Sequence, residues 1–208
     1  MDIFILILEI IGTIAFASSG AMIAIEKKMD IFGVNVLGAT TAVGGGIMRD
    51  VILGLTPPTA FSKPVYILIA AVTSTILFAI AYKRMDTMRW IIKSEYYDKL
   101  MFWCDTAGLG IFTVVGIQNA LGIVQENNAF FFVFIGVLTG VGGGVLRDIM
   151  AGETPYILVK HIYACAAIAG GIVCVVSGNM LGSAAGIILG LAVTDILRFL
   201  AAHFHWNL

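Results

Sequence analysis

Residues 42–57 read AVGGGIMRDVILGLTP, and residues 140–155 read GVGGGVLRDIMAGETP. At an offset of 98, Gly44, Gly45, Gly46, Arg49, Asp50, Gly54, Thr56 and Pro57 recur as Gly142, Gly143, Gly144, Arg147, Asp148, Gly152, Thr154 and Pro155. Upstream the match continues at an offset of 96, where Glu9, Gly12, Phe16 and Gly20 meet Asp105, Gly108, Phe112 and Gly116. The chain is a duplication, and the composition around the two copies says in which solvent it folds.

Of the 208 residues, 60% are hydrophobic and only 12% charged, with a mean hydropathy of +1.00. A soluble domain is about half apolar and about a quarter charged, and one of this size has no core able to hide so much apolar surface. Disorder, a collagen-like chain and a disulfide scaffold are excluded by the same figures. A bilayer core needs about 20 apolar residues per helix, and seven runs qualify: 3–25, 31–53, 62–82, 100–122, 129–150, 157–177 and 180–201. They are long and continuous, unlike the short alternating segments of a membrane barrel. The expected fold class is therefore an all-α integral membrane protein of seven transmembrane helices. Met1-Asp2 supplies no positive leader before the first run, which reads as a retained span rather than a signal peptide.

Each repeat holds three spans, an odd number, so the second must enter the membrane from the opposite face. The expected domains are residues 1–82 as the first three-helix repeat and 83–99 as a polar cytoplasmic linker. Residues 100–178 form the second, inverted repeat, and 179–208 the seventh helix with its tail. Lys27, Lys28, Lys83, Arg84, Arg89, Lys93, Lys99, Lys160 and Arg198 fall on one side and Lys63 alone on the other. The excess of basic residues marks the cytoplasmic side, leaving the N-terminus outside and the C-terminus in the cytoplasm. Trp90, Trp103 and Trp206 suit the aromatic belt at that face, and Phe130–Phe132 read as lipid-facing.

Inverted repeats recur in membrane transport proteins, with the pathway at the repeat interface. Three successive glycines cost a helix about 1 kcal/mol each relative to alanine, which predicts a kink or an unwound turn at Gly44–Gly46 and at Gly142–Gly144. Backbone freed in a bilayer must face protein or water, so two matched breaks point to a cavity. Intramembrane charges mark pathways and have partners nearby. Arg49 and Arg147 fall near opposite mouths, and the spacing along the preceding spans predicts Glu9 beside Arg49 and Asp105 beside Arg147. Asp50 and Asp148 either balance these cations or cap the released backbone. Lys63 and His161, also 98 apart, are candidate mouth cations or interfacial anchors. Asp195 and Arg198 are three apart, a spacing for local pairing on the seventh span. Cys104, Cys165 and Cys174 lie in apolar runs without ligand spacing and read as packing residues. No catalytic set, metal-ligand pattern, P-loop or dinucleotide fingerprint is present. Twelve Lys and Arg against thirteen Asp and Glu make no nucleic-acid surface.

The doubled GGGxxRD followed by Gly and Thr-Pro, on three plus three plus one spans, resembles the prokaryotic branch of the trimeric intracellular cation (TRIC) channel family. The repeat domain of that family also carries the label glycine transporter, and the resemblance covers residues 2–200. It implies a homotrimer in the plasma membrane of a bacterium, in contact with membrane lipids, with one hydrophilic pore in each protomer. It implies kinks at the glycine motifs, no cofactor, and K+ as the permeating ion. Gly44–Gly46, Arg49, Asp50, Gly142–Gly144, Arg147 and Asp148 would carry that function. The expected activity is membrane transport through a potassium-permeable cation channel. The alternative is a secondary transporter of a small zwitterion such as glycine, with half-helix ends and an arginine holding the substrate.

Overall fold

The computed structural model describes residues 2–83, 95–124, 128–159 and 162–204. Among the described residues the chain forms α1 (Asp2–Glu26), α2 (Ile31–Ile52), the short α3 (Thr59–Ser62), α4 (Val65–Lys83), α5 (Glu95–Leu121), α6 (Ala129–Met150), the short α7 (Tyr156–Val159), α8 (Tyr163–Leu181) and α9 (Ser183–His203). Seven of these, α1, α2, α4, α5, α6, α8 and α9, are long and apolar enough to cross a membrane. The spans fall where hydropathy puts them, with shifted starts. The third opens at Val65 rather than 62, behind Pro64, whose missing N–H is no loss at a helix start. The fourth begins earlier, at Glu95, and the sixth later, at Tyr163, with the short α7 lying where its start was expected. The Lys83 to Lys99 linker lies mostly outside the described residues, as do Trp90 and Trp206.

The two repeats are built from the same local devices. Asp30 caps α2 by accepting from the Gly33 N–H at 2.8 Å, and Asn128, at the same offset of 98, caps α6 by accepting from Phe131 N–H at 3.0 Å. At the other ends Gly54 and Gly152 take φ of +73° and +72°. The Leu55 N–H returns to the Asp50 carbonyl at 2.8 Å and that of Glu153 to Asp148 at 2.9 Å, a left-handed glycine closure that satisfies orphan carbonyls.

Inversion is visible in which ends meet. The Tyr97 hydroxyl at the start of α5 donates to the Met22 carbonyl near the end of α1, and Lys27 pairs with Glu153 beyond the end of α6. The opposite face gathers the start of α1, the end of α2 and the start of α4. Reciprocal contacts reveal the pseudo-two-fold axis. A Cβ at Gly45 would lie 2.0 Å from the Thr139 carbonyl oxygen, and one at Gly143 would lie 2.1 Å from that of Thr41. Gly44 faces Leu146 as Gly142 faces Met48. The Phe16 and Phe112 rings meet at 5.3 Å, each over the other repeat's Gly108 or Gly12.

One of the two expected departures, the unwound turn, does not occur. Both glycine triplets stay helical: α2 and α6 run unbroken through them, with no unwound turn. The triplets let two backbones cross closely, as small residues do in membrane helix pairs. Contact between the helices offsets the glycine penalty that suggested a break. Of the three phenylalanines read as lipid-facing, Phe130 is exposed but Phe132 is buried in the core.

Gly45→Ala or Gly143→Ala must push backbone against backbone, so each should destabilise the protein by about 1–3 kcal/mol. Gly46→Ala, whose nearest neighbour would be 3.8 Å away, should be far milder. Thermal melting of the detergent-solubilised variants checks the contrast, and equal losses at all three positions would contradict the crossing.

Candidate functional site

One turn beyond the crossing, each repeat presents its Arg-Asp pair. In the first repeat Arg49 Nε and Nη2 reach Asp50 Oδ1 at 2.8 and 2.7 Å. The second carboxylate oxygen accepts from the Thr59 N–H at 2.7 Å. Asp50 thus balances the cation and caps the segment that follows α2. It does not cap a break within the helix. The second repeat repeats the device: Arg147 Nε donates to Asp148 Oδ1 at 2.8 Å, and Tyr156 N–H donates to Asp148 Oδ2 at 2.9 Å.

Beyond that shared unit the sites differ. Beside Arg49 lies a small recess of about 40 Å3, lined by Glu9, Thr13, Gly46, Arg49, Thr59 and Tyr66 among others. Glu9 lines this recess together with Arg49 but makes no direct ion pair with it; its carboxylate accepts from the Tyr66 hydroxyl. Among the described residues no ion pair joins Glu9 to Arg49. The longer glutamate carries its charge to the start of α4 instead.

In the second repeat the expected pair is present. Arg147 Nη1 donates to Asp105 Oδ1 at 2.6 Å and also to the Ser19 hydroxyl of α1. Arg147 is 0% and Asp105 1% exposed. Arg198, from α9, reaches Asp105 Oδ2 at 3.6 Å, its guanidinium 4.6 Å from the Tyr163 ring and 5.1 Å from that of Phe102. Two guanidinium groups and two carboxylates thus form a buried, formally neutral cluster, the arrangement that lets charges persist out of water. The expected Asp195–Arg198 pairing is displaced by this contact: Asp195 Oδ1 is buried without a hydrogen-bond partner.

Of the other candidates, Lys63 is exposed after α3 and does not line the cavity. His161 lies outside the described residues. Tyr66, Ser19 and Tyr163 carry no signal in the sequence, since hydroxyls in apolar spans have no distinguishing spacing. For Arg198, helix periodicity points to its local neighbour Asp195 rather than to Asp105.

Seven spans in two inverted repeats, with a charge cluster at each end of a glycine crossing, define a multi-pass membrane protein of the inverted-repeat class. A family model described as Glycine transporter matches residues 6–82 and again 102–179. The UPF0126 inner membrane protein YadS of Escherichia coli is 36% identical over 205 residues, 97% of this chain and 93% of that one. A solved prokaryotic TRIC channel in 0.5 M KCl is 31% identical with a TM-score of 0.88, covering 100% of both chains. The TRIC orthologue of Rhodobacter sphaeroides is 30% identical with a TM-score of 0.87, covering 98% of this chain and 99% of that one. The chain belongs to this family, the prokaryotic TRIC branch that takes in the UPF0126 membrane proteins. It is a family of membrane proteins and channels, not of enzymes.

Asp105→Asn leaves the enclosed Arg147 and Arg198 short of one negative charge and should cost about 3–5 kcal/mol. Glu9→Gln, partly exposed and bonded only to Tyr66, should cost within about 1 kcal/mol and leave the Arg49–Asp50 pair intact. Melting temperatures of the two variants check this order.

Proposed function

We propose that the chain conducts monovalent cations, potassium foremost, along a hydrophilic path inside each protomer, bounded by α2 and α6. The observation that carries this reading is the cavity beside Arg49, with a matching charge cluster across the crossing. A recess edged by charged and hydroxyl side chains on one side and a closed charge cluster on the other are consistent with a gated route through the lipid. The likeness to solved TRIC cation channels supports it. Because α2 and α6 keep their backbone hydrogen bonds, the oxygens offered to a partly dehydrated ion come from side chains. Those in the first recess are Glu9, Thr13, Asp50, Thr59 and Tyr66. Gly44–Gly46 and Gly142–Gly144 hold the two halves together, while Arg49 with Asp50 and Arg147 with Asp148 and Asp105 set the field at each end. On this reading the two three-helix repeats, 1–82 and 100–178, are the functional halves.

The protein needs no cofactor for this, and its partners are membrane lipids and two further copies of itself, a homotrimer. The one-sided distribution of basic residues supports an outward N-terminus and a cytoplasmic C-terminus in a bacterial plasma membrane. A second reading has a specific observation behind it. The recess presents both a guanidinium, Arg49, and a carboxylate, Glu9, which are the two groups that would hold a zwitterion such as glycine.

Purified protein in a planar bilayer should give unitary potassium currents. Saturable uptake and counterflow of labelled glycine without unitary current would replace the channel with the carrier. Asp50 is already bound to Arg49, so removing the Glu9 carboxylate takes away the recess's other negative charge and forfeits about 1 kcal/mol of attraction at ion-contact distance in water. Glu9→Gln should then lower unitary potassium conductance by about fivefold. An unchanged conductance would remove Glu9 from the path.

A further inference from the structure

We propose that Arg198 of α9 is a gate latch, exchanging between Asp105 when the second mouth is closed and Asp195 when it is open. The inference rests on the conduction reading but concerns a helix outside both repeats. α9 packs on α8 and α5, both of the second repeat, so the inverted symmetry provides no counterpart of Arg198 at the first mouth. There Glu9 leaves Arg49 free of a second partner and the recess is open. At the second mouth Arg198 adds a cation to Asp105, and the cluster is enclosed.

The latch is held loosely. Arg147 uses Nε and Nη1 in short hydrogen bonds. Arg198 meets Asp105 Oδ2 only at 3.6 Å. Arg198 Nε, Asp105 Oδ2 and the Tyr163 hydroxyl are all buried without hydrogen-bond partners, although Asp105, Tyr163 and Arg198 are 1%, 2% and 5% exposed. Leaving buried polar groups unmatched costs about 1–3 kcal/mol each, which raises the closed arrangement toward its alternatives. An alternative partner lies on the same helix. Asp195 stands three residues before Arg198, within side-chain reach, and its Oδ1 is also buried and unpartnered, against Gly110 of α5. Arg198 lies five residues before the end of α9 at His203, about 7 Å along the axis, so its long side chain can also swing toward the interface. Its departure would leave Asp105 with Arg147 alone. The net charge of the cluster would fall from neutral to negative, and water and cations would gain access to Oδ2.

The two variants have opposite expected signs. In planar-bilayer potassium recordings Arg198→Gln should raise open probability by about fivefold or more, and Asp195→Asn should lower it by a similar factor. Arg198→Lys, which keeps the charge but loses the fork, should raise it less and serves if the glutamine variant does not insert. A residue that merely supports the fold would not give gains and losses of opposite sign. An unchanged or lowered value in the Arg198 variants, or an unchanged or raised value in Asp195→Asn, overturns the latch. A second readout does not depend on conduction. Ser19→Cys, in a chain with Cys104, Cys165 and Cys174 replaced by alanine, is exposed to a membrane-impermeant thiosulfonate added on the face bearing Lys27. Labelling should quicken with Arg198→Gln and slow with Asp195→Asn. Equal rates in all three overturn the latch even where currents are present. Absence of current in the unmodified protein, with labelling rates shifted as expected, overturns the channel reading and leaves the latch standing.

Discussion

The contact between the Gly45 backbone and the Thr139 carbonyl, returned by Gly143 and Thr41, is the constraint on which the rest of this structure hangs. It fixes the crossing of α2 and α6 at a separation only glycine permits, and it lies on the pseudo-two-fold axis. Everything placed relative to it along one helix is therefore placed again, inverted, along the other. The Arg-Asp pairs, the left-handed glycines at Gly54 and Gly152 and the capped segments after each helix follow from that single geometric fact. Lipid offers no hydrophobic force to bring two helices together, so close packing of small residues has to do it.

Symmetry in the backbone does not carry over to the charges, and the reasons are local. Glutamate at position 9 extends its carboxylate one methylene further than aspartate at 105. Its partner becomes the Tyr66 hydroxyl rather than the arginine of its own repeat. Aspartate 105 stays short and holds Arg147. Ser19, on α1, adds a hydroxyl to Arg147, while the residue at the matching position of α5 is Val115, which can add none. The seventh helix then breaks the symmetry outright, by packing among the described residues chiefly on the second repeat and sending Arg198 into its cluster. An inverted duplication with one unpaired helix is in this way biased toward unequal ends.

The spans, the inversion and the Asp105–Arg147 partnership were legible in the sequence because each follows from length, parity or offset, which a single chain displays. The continuity of α2 and α6 was not. Three glycines weaken a helix in isolation, and only the second helix, brought against them from 98 residues away, supplies the contacts that keep them helical. The direct partners of Glu9 and Arg198 were not legible for a related reason. Sequence spacing ranks neighbours on one helix or at one offset, whereas both side chains chose partners on helices their own periodicity does not reach.

Helical continuity also changes what the glycines can contribute to an ion path. A carbonyl bonded within its helix is not free to replace the hydration shell of a cation, so the triplets supply shape rather than ligands. Gly46 makes the point on its own: a Cβ there would have no neighbour closer than the Arg49 guanidinium at 3.8 Å, and Gly46 lines the recess. Gly45 is glycine because a backbone presses on it. Close packing does not require the same of Gly46, where the missing side chain instead keeps the space beside Arg49 clear. Within one triplet, adjacent residues thus answer to different demands, one for contact and one for emptiness, and the motif unites them because a helix crossing and the recess beside it must sit within a turn of each other.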